Sequence, residues 1–191
     1  MKKFMLIMLL FAGGVLSAQN DFHNKTVKVL PSSKLTINGD TNINEFQCEF
    51  DTSYLSEENN FDYTVTGSEI TFTGAILSLE SKGFDCGSRG INKDFKSLIK
   101  SEKYPQILLQ LEKAKMLSAE KAKVRVCITI AGILKIYDIP VEIQNHDEIS
   151  TFKGTLELNI NDFKLEPPTK LFGIIVVKDN IEIDFDLKVK K

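Results

Sequence analysis

The sequence predicts an all-β protein, an antiparallel β-barrel of about eight strands with one short α-helix at an end. Three observations carry this. Four long segments, Gln106–Leu117, Ala122–Ala131, Ile133–Ile143 and Phe152–Ile160, follow one another with only short turns between them. Consecutive hairpins of long strands are the economical route to an up-and-down barrel. The terminal stretch alternates without a break: Ile181, Ile183, Phe185, Leu187 and Val189 stand against Glu182, Asp184, Asp186, Lys188 and Lys190, so one face is apolar and the other wet. Between the early short strands and these long ones, Phe84–Gln110 drops the alternation and reads as a helix with its flanking turns.

In chain order, Met1–Ala18 has Lys2 and Lys3, an apolar run from Phe4 to Leu16 and small residues at Ser17-Ala18. This is the pattern of a secretory signal peptide over residues 1–18, cleaved near Ala18. The run is shorter than the roughly 20 apolar residues a span needs. The expectation is therefore one barrel domain over residues 19–191, periplasmic or secreted, with no stable membrane insertion. Thr26–Leu30 and Lys34–Asn38 read as short strands divided by Pro31-Ser32-Ser33. Asn44–Phe50 alternates Phe46, Cys48 and Phe50 with Glu45, Gln47 and Glu49, a half-buried strand. Leu55–Asn60 reads as a polar loop, Asp62–Thr66 as extended, and Glu69–Leu79 as one strand in which Gly74 marks a candidate bulge or bend. Asn92 is placed as an N-cap ahead of Phe95, Leu98 and Ile99 at helical spacing, and Tyr104-Pro105 ends the helix, giving Asn92–Lys103. Those three apolar residues would close one end of the barrel.

Composition narrows the function classes. With 42% hydrophobic and 26% charged residues and a net charge of −2, the chain carries no basic footprint for nucleic acid. Of its 24 basic residues only Arg89 and Arg125 are arginine, so clusters of bidentate phosphate contacts are not expected. His23 and His146 are the only histidines, and His146 lies in the hairpin turn Asn145-His146-Asp147-Glu148. No metal site, cofactor or catalytic residue is assigned, and the chain is not read as an enzyme. The CGSRG run lacks the spacing of a phosphate-binding P-loop. Arg89 beside a helix N-terminus is nevertheless a candidate for one anionic head group.

Three cysteines in an exported chain allow three pairings and leave one thiol over. Cys48–Cys86 is favoured, joining the apolar face of a strand to the glycine-rich turn before the helix. It would close a loop of about 38 residues and stabilise the fold by roughly 3–4 kcal/mol in the chain-entropy model. Cys127, on the strand face of Arg125 and Thr129, reads as a free thiol without a role.

Several ordered blocks resemble a known family. They are Leu35-Thr36-Ile37-Asn38-Gly39 with Asn42 and Phe46; Ile91-Asn92 with Lys103-Tyr104-Pro105-Gln106-Ile107; Ile128-Thr129-Ile130-Ala131-Gly132; and Asp162-Phe163 with Glu166-Pro167-Pro168, Phe172-Gly173 and Val177-Lys178-Asp179-Asn180-Ile181. Together the chain resembles the YceI-like polyisoprenoid-binding proteins, and Cys48 with Cys86 is similar to a cysteine-containing branch of them. The resemblance implies a lipocalin-like barrel whose apolar interior holds an isoprenoid-type or other long-chain lipid. The ligand-binding set is then the inward parity: Phe46, Phe72, Leu109, Leu111, Val126, Ile128, Leu156, Leu158, Ile183 and Phe185, with Phe95, Leu98 and Ile99 closing one end. An alternative is a secreted interaction module with a filled barrel and no lipid ligand. A homodimer is compatible with either.

Overall fold

The computed structural model describes residues 22–42, 44–55, 57–166 and 177–190. The leader and the Pro167-Pro168 and Phe172-Gly173 part of the fourth block lie outside the described residues.

Among the described residues twelve strands form one antiparallel sheet: β1 His23–Val29, β2 Lys34–Thr41, β3 Glu45–Phe50, β4 Glu58–Thr66, β5 Glu69–Thr73, β6 Ile76–Glu80, β7 Phe84–Asp85, β8 Gln106–Met116, β9 Lys121–Ile130, β10 Ile133–His146, β11 Ile149–Asn159 and β12 Val177–Lys190. Helix α1 is Arg89–Leu98. Eight strands run in the order β1-β4-β5-β8-β9-β10-β11-β12 and close on themselves where Lys28 meets Lys190 and Val29 meets Val189. The same edge of β12 continues onto β2, and β3 and β7 follow as a flap. This is the antiparallel barrel that the alternating segments predict, with one α-helix among the described residues.

The β9–β10 hairpin turns through two residues. Ala131 and Gly132 both take positive φ, 51° and 78°, which suits a two-residue turn whose twist matches the strands. The ring of Tyr104 fills the place where a Gly132 side chain would stand.

Some boundaries differ from expectation. Leu55–Asn60 is not a loop: Thr52–Leu55 forms a 3-10 turn with Leu55 buried, and β4 starts at Glu58. Its polar residues are used in pairing, Glu58 opposite Lys28 and Asp62 accepting a 2.8 Å hydrogen bond from Asn24. The stretch Glu69–Leu79 splits at Gly74, where φ is +78°, so β5 and β6 pair with separate parts of β8. A matching irregularity in β8 falls between Leu111 and Lys113.

The helix begins and ends earlier than Asn92–Lys103. Ser88 is its cap, its hydroxyl accepting from the Ile91 N–H at 3.3 Å. Asn92 instead accepts from the Cys86 N–H at 2.6 Å and donates to Asp85 at 2.9 Å. The helix stops before Lys100 takes φ 55°, four residues ahead of Tyr104-Pro105. Its own residues include none that is fully buried; Ile99, just past its end, enters the core.

The core lies inside the barrel and under the flap, with Ile128, Ile160, Phe163 and Cys48 as its most completely buried side chains. Burying each such aliphatic or aromatic side chain contributes about 1.5–3 kcal/mol. Cys48 and Cys86 form the disulfide, which ties β3 to the turn before α1. Cys127 is free and buried.

Candidate functional site

The inward parity of the long strands is almost wholly apolar. Cross-strand pairs Leu109–Ile128, Leu111–Val126, Leu156–Ile183 and Gly154–Phe185 set the register of that face. Of the sequence-derived set, Ile128, Leu156, Leu158 and Ile99 are buried in the core. Phe46, Phe95, Leu98, Leu109, Val126, Ile183 and Phe185 are half-buried and pack against that core. Leu111 and Phe72 are half-buried and stand apart from it. Phe95 meets Phe84 with ring centroids 5.0 Å apart, so the helix packs against β7 of the flap.

The barrel wall has a fork. Pairing between β10 and β11 runs only from Glu142–Lys153 to His146–Ile149, and beyond it the two strands separate. The 3-10 turn Ile160–Phe163 sits against β10 and β12 there, with Phe163 stacked 6.3 Å from Tyr137. The Tyr137 hydroxyl donates to Asp162 at 3.3 Å. Burial, and then the Asp162 carboxylate, push the Tyr137 phenol up to about 12.

Below the fork lies an open cleft of about 550 Å³. Its lining includes Ala122, Val141 and Phe185 of the inner face together with Lys121, Glu142 and Lys153. Its size is within the range of small-molecule sites. A second open cleft of about 610 Å³ lies over β2, β3 and β12 and is lined by Asp40, Glu45, Glu157 and Glu182 among others. Glu157 and Glu182 are direct cross-strand partners. That acidic setting does not suit an apolar chain.

Arg89 is exposed in the first turn of α1. It borders neither cleft. Among the described residues no three His, Cys, Asp or Glu side chains are grouped to hold a metal ion. His146 is exposed at the β10–β11 turn, with Nδ1 2.9 Å from the Asp147 carboxylate. The outer face of β8–β10 carries a charge network in which Asp138 receives Arg125 at 2.9 Å and Lys123 at 3.3 Å. Hydrogen bonding from Arg125 holds the Asp138 carboxyl below its usual range. Beside it, burial and a hydrogen bond with Glu112 push the Cys127 thiol up to about 11, away from nucleophilic chemistry at neutral pH.

The sequence-derived set omits Phe61 and Tyr63, which share a face with Phe72: Phe61–Phe72 centroids are 5.8 Å apart and Tyr63–Phe72 6.5 Å. The signal was present as the alternation Phe61, Tyr63, Val65.

A closed antiparallel barrel with an apolar inner face places the chain among lipocalin-like barrels. The YceI-like domain pattern matches residues 45–189, and the chain belongs to that family. Among solved structures, BcnA of Burkholderia cenocepacia is 18% identical, with a TM-score of 0.57 over 83% of this chain and 96% of that one. A polyisoprenoid binding domain from Saccharophagus degradans, implicated in plant cell wall breakdown, is 12% identical, with a TM-score of 0.62 over 86% and 97%. The Campylobacter jejuni YCEI protein is 15% identical, with a TM-score of 0.53 over 100% and 99%. A search of curated proteins found no match. Among the described residues, no helix is long and apolar enough to cross a membrane.

Proposed function

We propose that this protein is an exported binding protein, not an enzyme, that holds an isoprenoid-type or other long-chain lipid in the apolar interior of its barrel. The observation that supports this is an inner face made of apolar side chains that are not all packed away: Leu109, Leu111, Val126, Ile183 and Phe185 are half-buried, and a 550 Å³ cleft reaches that face at Phe185. A filled barrel would bury such residues almost completely. Each CH₂ of a chain drawn from water into this interior contributes about 0.8 kcal/mol, so affinity needs no catalytic or charged group. Family membership and the polyisoprenoid-binding neighbour support the same ligand class. Export rests on the Met1–Ala18 pattern, and the secreted protein should start near Gln19 by intact mass. Native mass spectrometry of the purified protein tests the binding reading. A retained isoprenoid alcohol, co-purified or added, is expected; no bound lipid under any loading condition would overturn it.

One observation favours a second reading, a secreted interaction module. Leu134 and Ile136 are 54% and 57% exposed on the outer face of β10, and Leu108 on β8 and Ile76 on β6 are exposed on the same face. Ile136→Ser would leave lipid retention unchanged and abolish partner binding under that reading.

A further inference from the structure

The inner faces of β1, β4 and β5 carry a ladder of rings that the buried core does not use. His23 and Tyr63 are cross-strand partners with centroids 5.1 Å apart, Tyr63 and Phe72 are partners at 6.5 Å, and Phe61 lies 6.4 Å from Tyr63 and 5.8 Å from Phe72. Phe61, Tyr63 and Phe72 are all half-buried, and none packs against the core cluster. Three large rings gathered on the inner side of a barrel wall and left half-open to water have unsatisfied contact surface.

Strand register places these rings on the same inner wall as the cleft at the β10–β11 fork. Val141, in the cleft lining, pairs with Ala122, which pairs with Met116 on β8. Two residues along β8, Ala114 pairs with Ile70 on β5, the strand of Phe72. The inner positions between cleft and rings include Ala122 and Ala114, both buried. From β10 to β4 the path crosses four strand spacings, about 19 Å of wall.

We propose, resting on the lipid-binding reading above, that Phe61, Tyr63 and Phe72 form the subsite that selects an unsaturated prenyl chain over its saturated counterpart. Aromatic faces carry negative π-density and pack offset or edge-on against the flat sp² units of a prenyl chain. A saturated chain gains from them only the area it buries. Leucine keeps most of that area and removes the π-surface, so the two chain types respond differently to its introduction.

The experiment titrates delipidated protein with geranylgeraniol and with its saturated counterpart phytanol, comparing wild type with the Tyr63→Leu/Phe72→Leu double variant. The variant should bind geranylgeraniol about fivefold more weakly or worse, with phytanol binding changed by less than about twofold. Equal loss of both alcohols, or no loss of either in a variant that melts cooperatively, overturns the assignment while leaving lipid binding intact. Wild type that binds neither alcohol overturns the lipid-binding reading and this one with it. If the double variant fails to fold, tyrosine-selective labelling of the unmodified protein decides. The chain has four tyrosines, and geranylgeraniol should shift the ring signals of Tyr63 and leave those of Tyr54 in place. An unmoved Tyr63 in lipid-loaded protein overturns the proposal.

Discussion

Gly154 shows how closely single residues are specified. A Cβ there would stand 2.6 Å from Phe185 Cζ and 2.7 Å from the Pro140 carbonyl oxygen. The ring lies over the bare backbone of its cross-strand partner, and the carbonyl cannot move without disturbing β10. Gly154→Ala should therefore cost about 1–3 kcal/mol, read as a shift in urea midpoint at unchanged slope. Cys127 and Tyr137 make a second prediction at this scale. Folding raises the thiol from 9.0 to about 11 and the phenol from 10.0 to about 12. As pH climbs, the unfolded chain loses these protons first, so stability present below pH 9.0 should decline between pH 9.0 and about 12. Cys127→Ala should flatten the first part of that decline in a Tm-against-pH series. The position of Cys127 on the face of Arg125 was legible in the alternation; its burial was not. Its cover involves Glu112, which falls at the irregularity in β8, and a two-residue period cannot reveal a bulge.

Helix α1 illustrates an element that does not hold itself in place. Ten residues are marginal in isolation, and none of them is fully buried. The attachments come from outside it: the Cys48–Cys86 bridge before it, Asn92 reaching back to Cys86 and Asp85, Phe95 on Phe84, and Ile99 after it. Replacing both Cys48 and Cys86 with alanine should lower stability by about 3–4 kcal/mol and raise amide exchange in α1 more than in β9 or β10. Denaturant unfolding with hydrogen exchange would measure both, and uniform exchange across the chain would argue against the bridge as the helix's anchor. Long strands and the helix's existence could be read because periodicity persists over many residues. The helix start could not, since Ser88 and Asn92 are both good caps and only the Asn92 bond to the Cys86 turn decides between them. The two halves of Glu69–Leu79 were likewise hidden, because the pairing of each with a different part of β8 is a tertiary fact.

At the scale of the whole molecule, the barrel divides into a packed part and an open part. Around the 3-10 turn Ile160–Phe163, the neighbouring Leu158 is 3% exposed and belongs to the core. Leu111, on the same inward parity two strands from the β10–β11 fork, is half-buried and outside that core. Parity gave both residues the same inward direction, but no sequence pattern separates a side chain with neighbours on every side from one facing open volume. Enlargement separates them. Leu158→Phe forces extra atoms into close-packed surroundings and should cost about 1–3 kcal/mol of stability in ligand-free protein. Leu111→Phe should leave the ligand-free melting temperature near that of wild type and reduce the amount of isoprenoid alcohol retained in native mass spectrometry, because the ring occupies volume the chain would use. If Leu111→Phe destabilises the ligand-free protein as much as Leu158→Phe does, that side of the barrel is core, and the interior has no room there for a lipid chain.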